Sequence, residues 1–320
     1  MTRAAIGVDI GGGSVKLGLV TERGKLVARE SFLTPHSLGR EGLLDILSAH
    51  VAELGKVARK RGLKLLGAGI GAPGPIDVDR GFVYFFPNIP GWKNTPLKGL
   101  LEKRLKMPIR VDNDANAMAL AEVYFGAGRG AKNVIALTLG TGVGGGLLIN
   151  GKLFHGPAYS AAEIGHLVIN EDGPACGCGN HGCIETYVGT SYFARAVRKR
   201  LESGEKSILK KWIKGGKELS PFLVGEAARK GDAFAKRMWK ITGGHLGTAL
   251  VGLVNILNPE LVVIGGGIAQ NGELLFRPLR EALSKKAFPI AARSVRVVPA
   301  KLGVDAGVIG AAALIFAARS

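Results

Sequence analysis

A strand–glycine turn–strand pattern occurs twice in this chain, and no other feature constrains its fold as much. IGVDIGGGSVKLGLV lies at residues 6–20 and IALTLGTGVGGGLLI at residues 135–149. Apolar runs separated by glycines are typical of strands joined by tight turns. Their recurrence indicates an approximate internal duplication. We therefore expect an α/β protein whose two halves, each a sheet with crossover helices, face each other across a cleft.

The segments around each copy suggest how the chain divides. Three short strands over 4–32 precede a helix over 41–61 with apolar residues at helical spacing. We predict a smaller N-terminal domain over 1–115, a larger domain over 116–305, and a C-terminal helix over 306–320 that packs on the smaller domain. Further predicted segments are a loop over 87–97, a helix over 97–106, a strand over 108–114 and a helix over 115–125.

Glycine and basic residues are the two compositional excesses. The 49 glycines cluster between apolar runs, where the backbone would approach a ligand closely. The 43 Lys and Arg against 25 Asp and Glu give a net charge of +18, which attracts nucleotides, phosphosugars or polyphosphate. The basic residues lie on helix-like segments without interleaved aromatics, so solvated surface is favoured over a nucleic-acid site.

The ends of the chain and its apolar runs bear on the compartment. The N-terminus runs almost directly into a strand-like segment, without the pattern of a secretory signal. No apolar run reaches the ~20 residues that span a bilayer. We expect a cytoplasmic enzyme with neither a membrane nor a nucleic-acid partner.

The glycine turns are candidate phosphate-binding loops. Backbone N–H groups at the end of a strand can surround phosphate oxygens, and a side chain there would block the approach. The alternative is a plain hairpin turn, and neither turn matches the G-x-x-x-x-G-K-[ST] loop. Two turns in equivalent halves favour a nucleotide site, and Asp9 can hold Mg²⁺ directly or through water. The predicted nucleotide-binding residues are Asp9, Gly11, Gly12, Ser14, Lys16, Thr138, Gly140, Thr141, Gly142, Gly265, Gly266 and Gly267.

Five motifs occur in the order seen in one protein family. They are DIGGGSVK, VDNDANAMALAE, LGTGVGGGLLINGKLFHG, EIGH and CGCGNHGCIETY. Over essentially its whole length the chain resembles the ROK family of sugar kinases and repressors, and most of all its bacterial ATP-dependent glucokinases, with GAPGPID and PNIPGW adding to the likeness. The resemblance implies two actin-like ATPase (ribonuclease H-like) domains flanking a cleft, and phosphoryl transfer from Mg-ATP to the 6-hydroxyl of glucose.

Two positions depart from the family pattern. Gly13 stands where the first loop of the family usually has threonine, so this chain lacks that hydroxyl, although Ser14 is adjacent. Ala162 precedes Glu163 where glycine is common, and the acidic group is kept.

Asp114 is the candidate catalytic base. It lies where a predicted strand ends and a helix begins, and a helix N-terminus stabilises an ionised carboxylate. An ionised carboxylate can accept the proton of an attacking hydroxyl. The alternatives are that Asp114 only caps the helix, or that Asp112 is the base. The resemblance assigns catalysis to Asp114 and sugar binding to Asn113.

The resemblance also supplies the other sugar-binding residues. Carboxylates and an imidazole suit sugar hydroxyls, which both donate and accept hydrogen bonds. Without the likeness, each lone glutamate would be read as a surface charge. The implied contacts are Glu163, His166 and Glu185, with Gly71, Pro73 and Asn88 as wall residues.

All three cysteines of the chain lie within eight residues, and three thiols cannot pair off completely. With His166, ten residues before Cys176, they form H-x9-C-x-C-x4-C, and three thiolates with one imidazole complete a tetrahedral zinc set. The predicted ligands are His166, Cys176, Cys178 and Cys183. Four protein ligands leave no open position, so the ion is expected to be structural and to join the segments of Glu163 and Glu185. The alternative is a set of buried or redox-reactive thiols.

Three rival functions remain open. One is a kinase for another sugar, such as N-acetylmannosamine, N-acetylglucosamine, fructose or allose. Another is a glucokinase that uses polyphosphate, for which the net charge is a mild indication. The third is a sugar-sensing regulator. Relatives of the last kind carry a DNA-binding domain before the first glycine loop, where this chain has eight residues before Asp9. A homodimer or homotetramer is expected from the resemblance.

Overall fold

The structure, a computed structural model, describes residues 1–86 and 91–318. Asn88 therefore lies outside the described residues. The strands of the described part are β1 (Arg3–Ile10), β2 (Ser14–Thr21), β3 (Leu26–Leu33), β4 (Lys64–Ala72), β5 (Ile76–Asp77), β6 (Phe82–Phe85), β7 (Lys93–Thr95), β8 (Ile109–Asn113), β9 (Val134–Leu139), β10 (Val143–Ile149), β11 (Lys152–Leu153), β12 (Leu261–Gly265) and β13 (Arg296–Pro299). The helices there are α1 (Gly39–Lys60), α2 (Leu97–Leu105), α3 (Asp114–Phe125), α4 (Glu185–Val188), α5 (Thr190–Glu202), α6 (Leu209–Lys214), α7 (Pro221–Arg229), α8 (Ala233–Leu257), α9 (Glu273–Lys286), α10 (Pro289–Ser294) and α11 (Ala306–Ala317).

The first compact unit comprises residues 1–132, 146–162 and 301–320. Its main sheet has the order β3-β2-β1-β4-β8, in which β1, β4 and β8 run parallel. Helix α1 covers one face of this sheet with a buried apolar stripe. Helix α3 belongs to this unit, although the predicted domain boundary at residue 115 would place it in the second domain. The predicted domain limits stay predictions.

Helix α11 lies directly on the same sheet because glycines face it. A Cβ built on Gly7 or on Gly69 would come within 2 Å of a carbonyl oxygen of α11. Gly310 allows an equally close approach between α11 and α3. The backbone contact at these glycines fixes α11 and α3 against the strands whose ends carry the candidate site.

A buried carboxylate holds the far end of α3. Glu122 has no exposed surface, and its oxygens accept hydrogen bonds from the backbone N–H groups of Ala127, Lys301 and Leu302 at 2.8–3.1 Å. These bonds compensate the loss of hydration of the carboxylate. They tie α3 to the segment that leads into α11.

The second compact unit comprises residues 133–145 and 163–300. The second five-stranded sheet has the order β11-β10-β9-β12-β13, with β12 parallel to both β9 and β13. Helices α8 and α9 pack closely because Gly243 and Gly247 of α8 face the backbone of α9.

Most of the predicted elements are confirmed, and one is wrong. Both glycine turns join antiparallel strands, and α1, α2, β8 and α3 lie within two residues of their predicted bounds. The predicted loop over 87–97 contains β7, which pairs with β6 over Val83↔Thr95 and Phe85↔Lys93. Prolines flanking so short a strand conceal it in the sequence. Among the helices of the described part, none is long and apolar enough to cross a membrane.

Candidate active site

In the first unit, the predicted residues gather at the carboxyl ends of three parallel strands. Asp9 of β1 pairs with Gly71 of β4, and Gly71 pairs with Asp112 of β8. A Cβ on Gly71 would lie 3.6 Å from the Cα of Asp114, so the glycine permits the first turn of α3 to approach the strand. Carboxyl ends of parallel strands are where ligands bind in open α/β sheets.

Asn113, and not Asp114, is the N-cap residue of helix α3. The Asn113 side chain accepts hydrogen bonds from the N–H groups of Ala115 at 2.9 Å and Asn116 at 3.4 Å, and it donates to the Gly74 carbonyl at 3.3 Å. Both lone pairs of its oxygen are therefore used, and one amide hydrogen is left for a ligand.

Asp114 is the first residue of α3 and is half-buried. Its Oδ1 accepts from the N–H of Ala115 at 2.8 Å. Because Asn113 provides the cap, capping does not account for the carboxylate of Asp114. A negative charge at this position is stabilised by the helix dipole.

Asp112 is placed differently from Asp114, and both of its oxygens are occupied. It is 3% exposed; Oδ1 accepts from Asn113 N at 2.7 Å and Asn116 Nδ2 at 3.0 Å, and Oδ2 lies 2.8 Å from His155 Nε2. A carboxylate held in this way has little capacity left for a substrate proton, which argues against it as the base.

His155 is a functional candidate that the sequence analysis missed. It lies between β11 and the EIGH motif, in a segment that belongs to the first unit. Burial lowers the pKa of His155, but the hydrogen bond to Asp112 and the charges of Asp112 and Asp79 outweigh burial and raise it. The only available signal was its place within LGTGVGGGLLINGKLFHG, because Asp112 is 43 residues away.

Asp9 lies against the first turn of α11. A Cβ on Gly307 would come within 2.4 Å of its Oδ2. Burial raises the pKa of the Asp9 carboxyl, and the nearby charge of Lys16 opposes that rise. The carboxylate therefore lacks full compensation for lost hydration.

The first glycine turn joins β1 to β2 and is stabilised by Thr34. Gly11 N donates to Ser14 O at 3.0 Å, and Thr34 donates through its hydroxyl to Gly11 O at 2.7 Å. A Cβ on Gly13 meets nothing within 4 Å, so crowding does not explain the absence of the usual threonine.

In the second unit, two glycine turns lie side by side at the ends of β9 and β12. Gly265 pairs with Thr138. Gly266 has φ +91°, and a Cβ there would collide with the backbone of Leu139, so both features favour glycine. A Cβ built on Gly140 or on Gly267 would meet no atom within 4 Å. The Thr138 hydroxyl is buried and, among the described residues, has no hydrogen-bond partner. An orphaned hydroxyl beside two open glycines fits a phosphate ligand.

Glu185 links the predicted sugar contacts to the second glycine turn. Its Oε2 accepts from Val143 N at 2.9 Å, and a Cβ on Gly142 would lie 2.3 Å from that oxygen. Thr190, at the start of α5, donates to Gly140 O at 2.9 Å. The α4–α5 segment thus holds this turn in place.

Glu163 is exposed at the start of a short 3-10 turn over Ile164–His166. Gly165 lets this turn pack against the end of β10, because a Cβ would meet Val143 O at 2.2 Å. Ala162 has φ +63°, a left-handed conformation in which glycine is favoured.

The four predicted metal ligands come together in the second unit. The ligand atoms of His166, Cys176, Cys178 and Cys183 all lie within 4.8 Å of one another. Two of the distances, Cys178 Sγ to Cys183 Sγ and Cys176 Sγ to His166 Nδ1, are 3.7 Å. Thiolates ~2.3 Å from a tetrahedral zinc ion would be about 3.8 Å apart, whereas disulfide sulfurs are ~2.05 Å apart. The cluster fits a metal ion and not a disulfide.

Backbone hydrogen bonds and glycine turns of the loop bring the ligands of this cluster together. Cys176 N donates to Asn180 O, Gly179 N donates to Cys176 O, and Gly182 adopts φ +66°. Without a metal, burial and the neighbouring thiols raise the pKa of Cys183 to about 12, while the backbone N–H of Asn180 lowers that of exposed Cys178. Because Nδ1 of His166 faces the sulfurs, its Nε2 remains for a second contact.

Comparisons with known proteins show which proteins this chain resembles. The model of the ROK family matches residues 5–318. The glucokinase of Thermotoga maritima is 38% identical over 97% of this chain and 96% of its own length, and that of Halalkalibacterium halodurans is 40% identical over 97% and 94%. A solved ROK family glucokinase from Streptomyces griseus, in complex with glucose and AMPPNP, is 36% identical over 97% of this chain and 98% of its own, with a TM-score of 0.80. The likeness confirms the predicted α/β fold with two actin-like ATPase domains.

Proposed function

Because this chain belongs to the ROK family, we propose that it is a glucokinase, which transfers the terminal phosphoryl group of ATP to the 6-hydroxyl of glucose. The proposal rests on the positions of two acidic residues at the carboxyl ends of the parallel strands of the first sheet. Asp9 lies beside a glycine turn, and Asp114 is the first residue of helix α3. One acidic group suits a cation–phosphate complex and the other suits a hydroxyl proton.

Asp114 acts as the general base in this proposal. It accepts the proton of the 6-hydroxyl as that oxygen bonds to the terminal phosphorus, and ADP leaves as the old phosphorus–oxygen bond breaks. Support comes from its position on α3, from the cap provided by Asn113, and from the occupied oxygens of Asp112.

We carry the sugar contacts over from the resemblance. They are Gly71, Pro73, Asn88, the remaining amide hydrogen of Asn113, Glu163, Glu185 and Nε2 of His166. Since one oxygen of Glu185 is bonded to Val143, we assign the sugar contact to the other oxygen.

ATP is held by the glycine turns. We assign its phosphates to Gly11, Gly12, Ser14 and Lys16, and to Thr138, Gly140, Thr141, Gly142 and Gly265–Gly267. Mg²⁺, when bound, would neutralise charge on the phosphates, and Asp9 would hold it directly or through water.

Asp9→Asn is expected to raise the melting temperature of the ligand-free protein at neutral pH but to lower turnover about 10- to 100-fold, the value of one charge-assisted contact. The pKa of Asp9 is raised in the folded state, so its ionised form opposes folding; stability from this group is present at low pH and is lost as pH rises through the folded pKa. Thermal melts and ADP-release assays test both effects. Asp45→Asn, at an exposed carboxylate, should change neither strongly.

The cysteine–histidine cluster is assigned to structural zinc. Its four ligands complete a tetrahedral shell, so the ion binds no substrate directly. Its effect is to hold the segment of Glu163 against that of Glu185. His166 then serves the cluster through Nδ1 and the sugar through Nε2.

We further propose a cytoplasmic homodimer or homotetramer. Large apolar side chains near the ends of α8 and α10 are exposed, with Ile256 at 80%, Phe288 at 62% and Ile290 at 67%. Exposed apolar groups of this kind are commonly covered in oligomers.

The decisive experiment measures ADP release from Mg-ATP against a panel of hexoses and identifies the sugar phosphate formed. We expect strong turnover with glucose. Preference for N-acetylmannosamine, N-acetylglucosamine, fructose or allose would keep the mechanism and change the substrate, and turnover with polyphosphate would change the donor. Sugar binding without turnover with either donor would contradict the proposal and favour a sensor.

A further inference from the structure

A buried histidine–carboxylate pair adjoins the turn that carries Asp114. His155 Nε2 lies 2.8 Å from Asp112 Oδ2; the side chains are 20% and 5% exposed. Both residues belong to the first compact unit. The proposed mechanism uses neither of them.

The other oxygen of Asp112 joins the strand to the helix. Oδ1 accepts from the N–H of Asn113, the last residue of β8, and from the side-chain amide of Asn116 in the first turn of α3. Asp114 lies between these two residues in the chain. The Asp112 carboxylate is thus bonded to both sides of the residue proposed as the base.

His155 occupies the second oxygen of Asp112. A buried carboxylate without an ionic or hydrogen-bonding partner is strongly disfavoured. The charges that act on His155 are those of Asp112 and, more weakly, Asp79, and both favour the imidazolium form. Through its hydrogen bond, His155 holds the Asp112 carboxylate in the position from which it is bonded to the turn.

We infer that His155 is a positioning residue, which holds the β8–α3 turn through Asp112 and so fixes the orientation of Asp114. This inference rests on the proposed function, since it assigns His155 a part in the same reaction. His155 does not contact the sugar or ATP in this account, and its contribution is to turnover rather than to substrate affinity.

Two substitutions separate the roles of hydrogen bond and charge. His155→Ala removes both, and we expect kcat to fall roughly 10- to 100-fold, the effect of a reacting group displaced by about 1 Å. The KM values for glucose and ATP should change by less than about threefold, because the binding groups are untouched. His155→Gln, whose amide can donate to Asp112 from a similar position, should recover a large part of the lost kcat.

Two control variants change contacts of the same unit outside the pair. Tyr159→Phe removes the hydrogen bond to Asp79 in the same segment, and His50→Gln alters a second histidine–carboxylate pair, with Glu30, in the same unit. Both should retain kcat within about twofold.

The kinetic constants of these variants test the role assigned to His155. Unchanged kcat in His155→Ala would overturn the inference. So would a glutamine variant no better than alanine, or a loss of activity explained by raised KM values or by partial unfolding in circular dichroism. Should the wild-type protein phosphorylate no hexose, the proposed function would fail first, and the assignment of His155 would fall with it.

Discussion

Asp114→Ala is expected to lower hexose phosphorylation by about 10²- to 10⁴-fold, the usual contribution of a positioned general base. Glucose binding should persist, because the other sugar contacts remain. Asp114→Asn should be nearly as inactive, since its amide oxygen can still accept from Ala115 N but cannot take up the substrate proton. Steady-state ADP release and calorimetric titration with glucose measure the two effects separately.

Asp232→Ala is the matched control for a merely structural role of Asp114. Asp232 precedes α8, and its carboxylate accepts from the N–H of Ala235 at 2.8 Å. Its loss should cost about 1 kcal/mol of stability and leave turnover near normal. If Asp114→Ala behaved in the same way, Asp114 would be a helix-start residue and not the base.

Cys178→Ser is expected to remove most of the bound zinc and to raise the glucose KM by on the order of tenfold or more, since changes around a metal commonly cost 10- to 100-fold in metal affinity or activity. The physical reason is that an ion held by these four ligands would join the turn after Glu163 to the loop before Glu185. The KM for ATP should change less. Elemental analysis and glucose-dependent kinetics on the same preparation measure both quantities.

His181→Ala serves as the control within the same loop. His181 is exposed and lies outside the four-ligand set, although only two residues from Cys183. Zinc content and glucose KM should stay at wild-type values. Full zinc occupancy in Cys178→Ser would contradict the assigned ligand set, and zinc loss with an unchanged glucose KM would separate the cluster from sugar binding.

The metal cluster could be predicted from the sequence because its geometry is local. Three cysteines and His166 lie within 18 residues, and the glycines between them permit the turns that bring the ligands together. The glycine turns between strands could also be predicted from the sequence, because apolar periodicity and turn chemistry act over a few residues. Strand β7 was missed because three residues between prolines carry almost no periodic signal.

The different surroundings of Asp112 and Asp114 appear only in the tertiary structure, and the assignment of Asp114 as the base stays a prediction. The two carboxylates are two residues apart, and nothing in VDNDAN distinguishes them as bases. His155, which occupies Asp112, comes from a segment 43 residues later in the chain. In the same way, Asn113 rather than Asp114 caps α3 because the backbone at Asn113 is extended, with φ −64° and ψ 147°.

The sequence by itself determined the alternation of strands and helices, the two glycine turns and the metal ligands, because hydrophobic spacing and turn chemistry are properties of short segments. Only the tertiary structure decided which groups contact each other in the interior. Helix α11 packs against Gly7 and Gly69, Glu122 accepts hydrogen bonds from the segment before α11, and Asp112 contacts His155. Burial and pairing depend on residues distant in the chain, so the spacing of residues within a short motif does not reveal them.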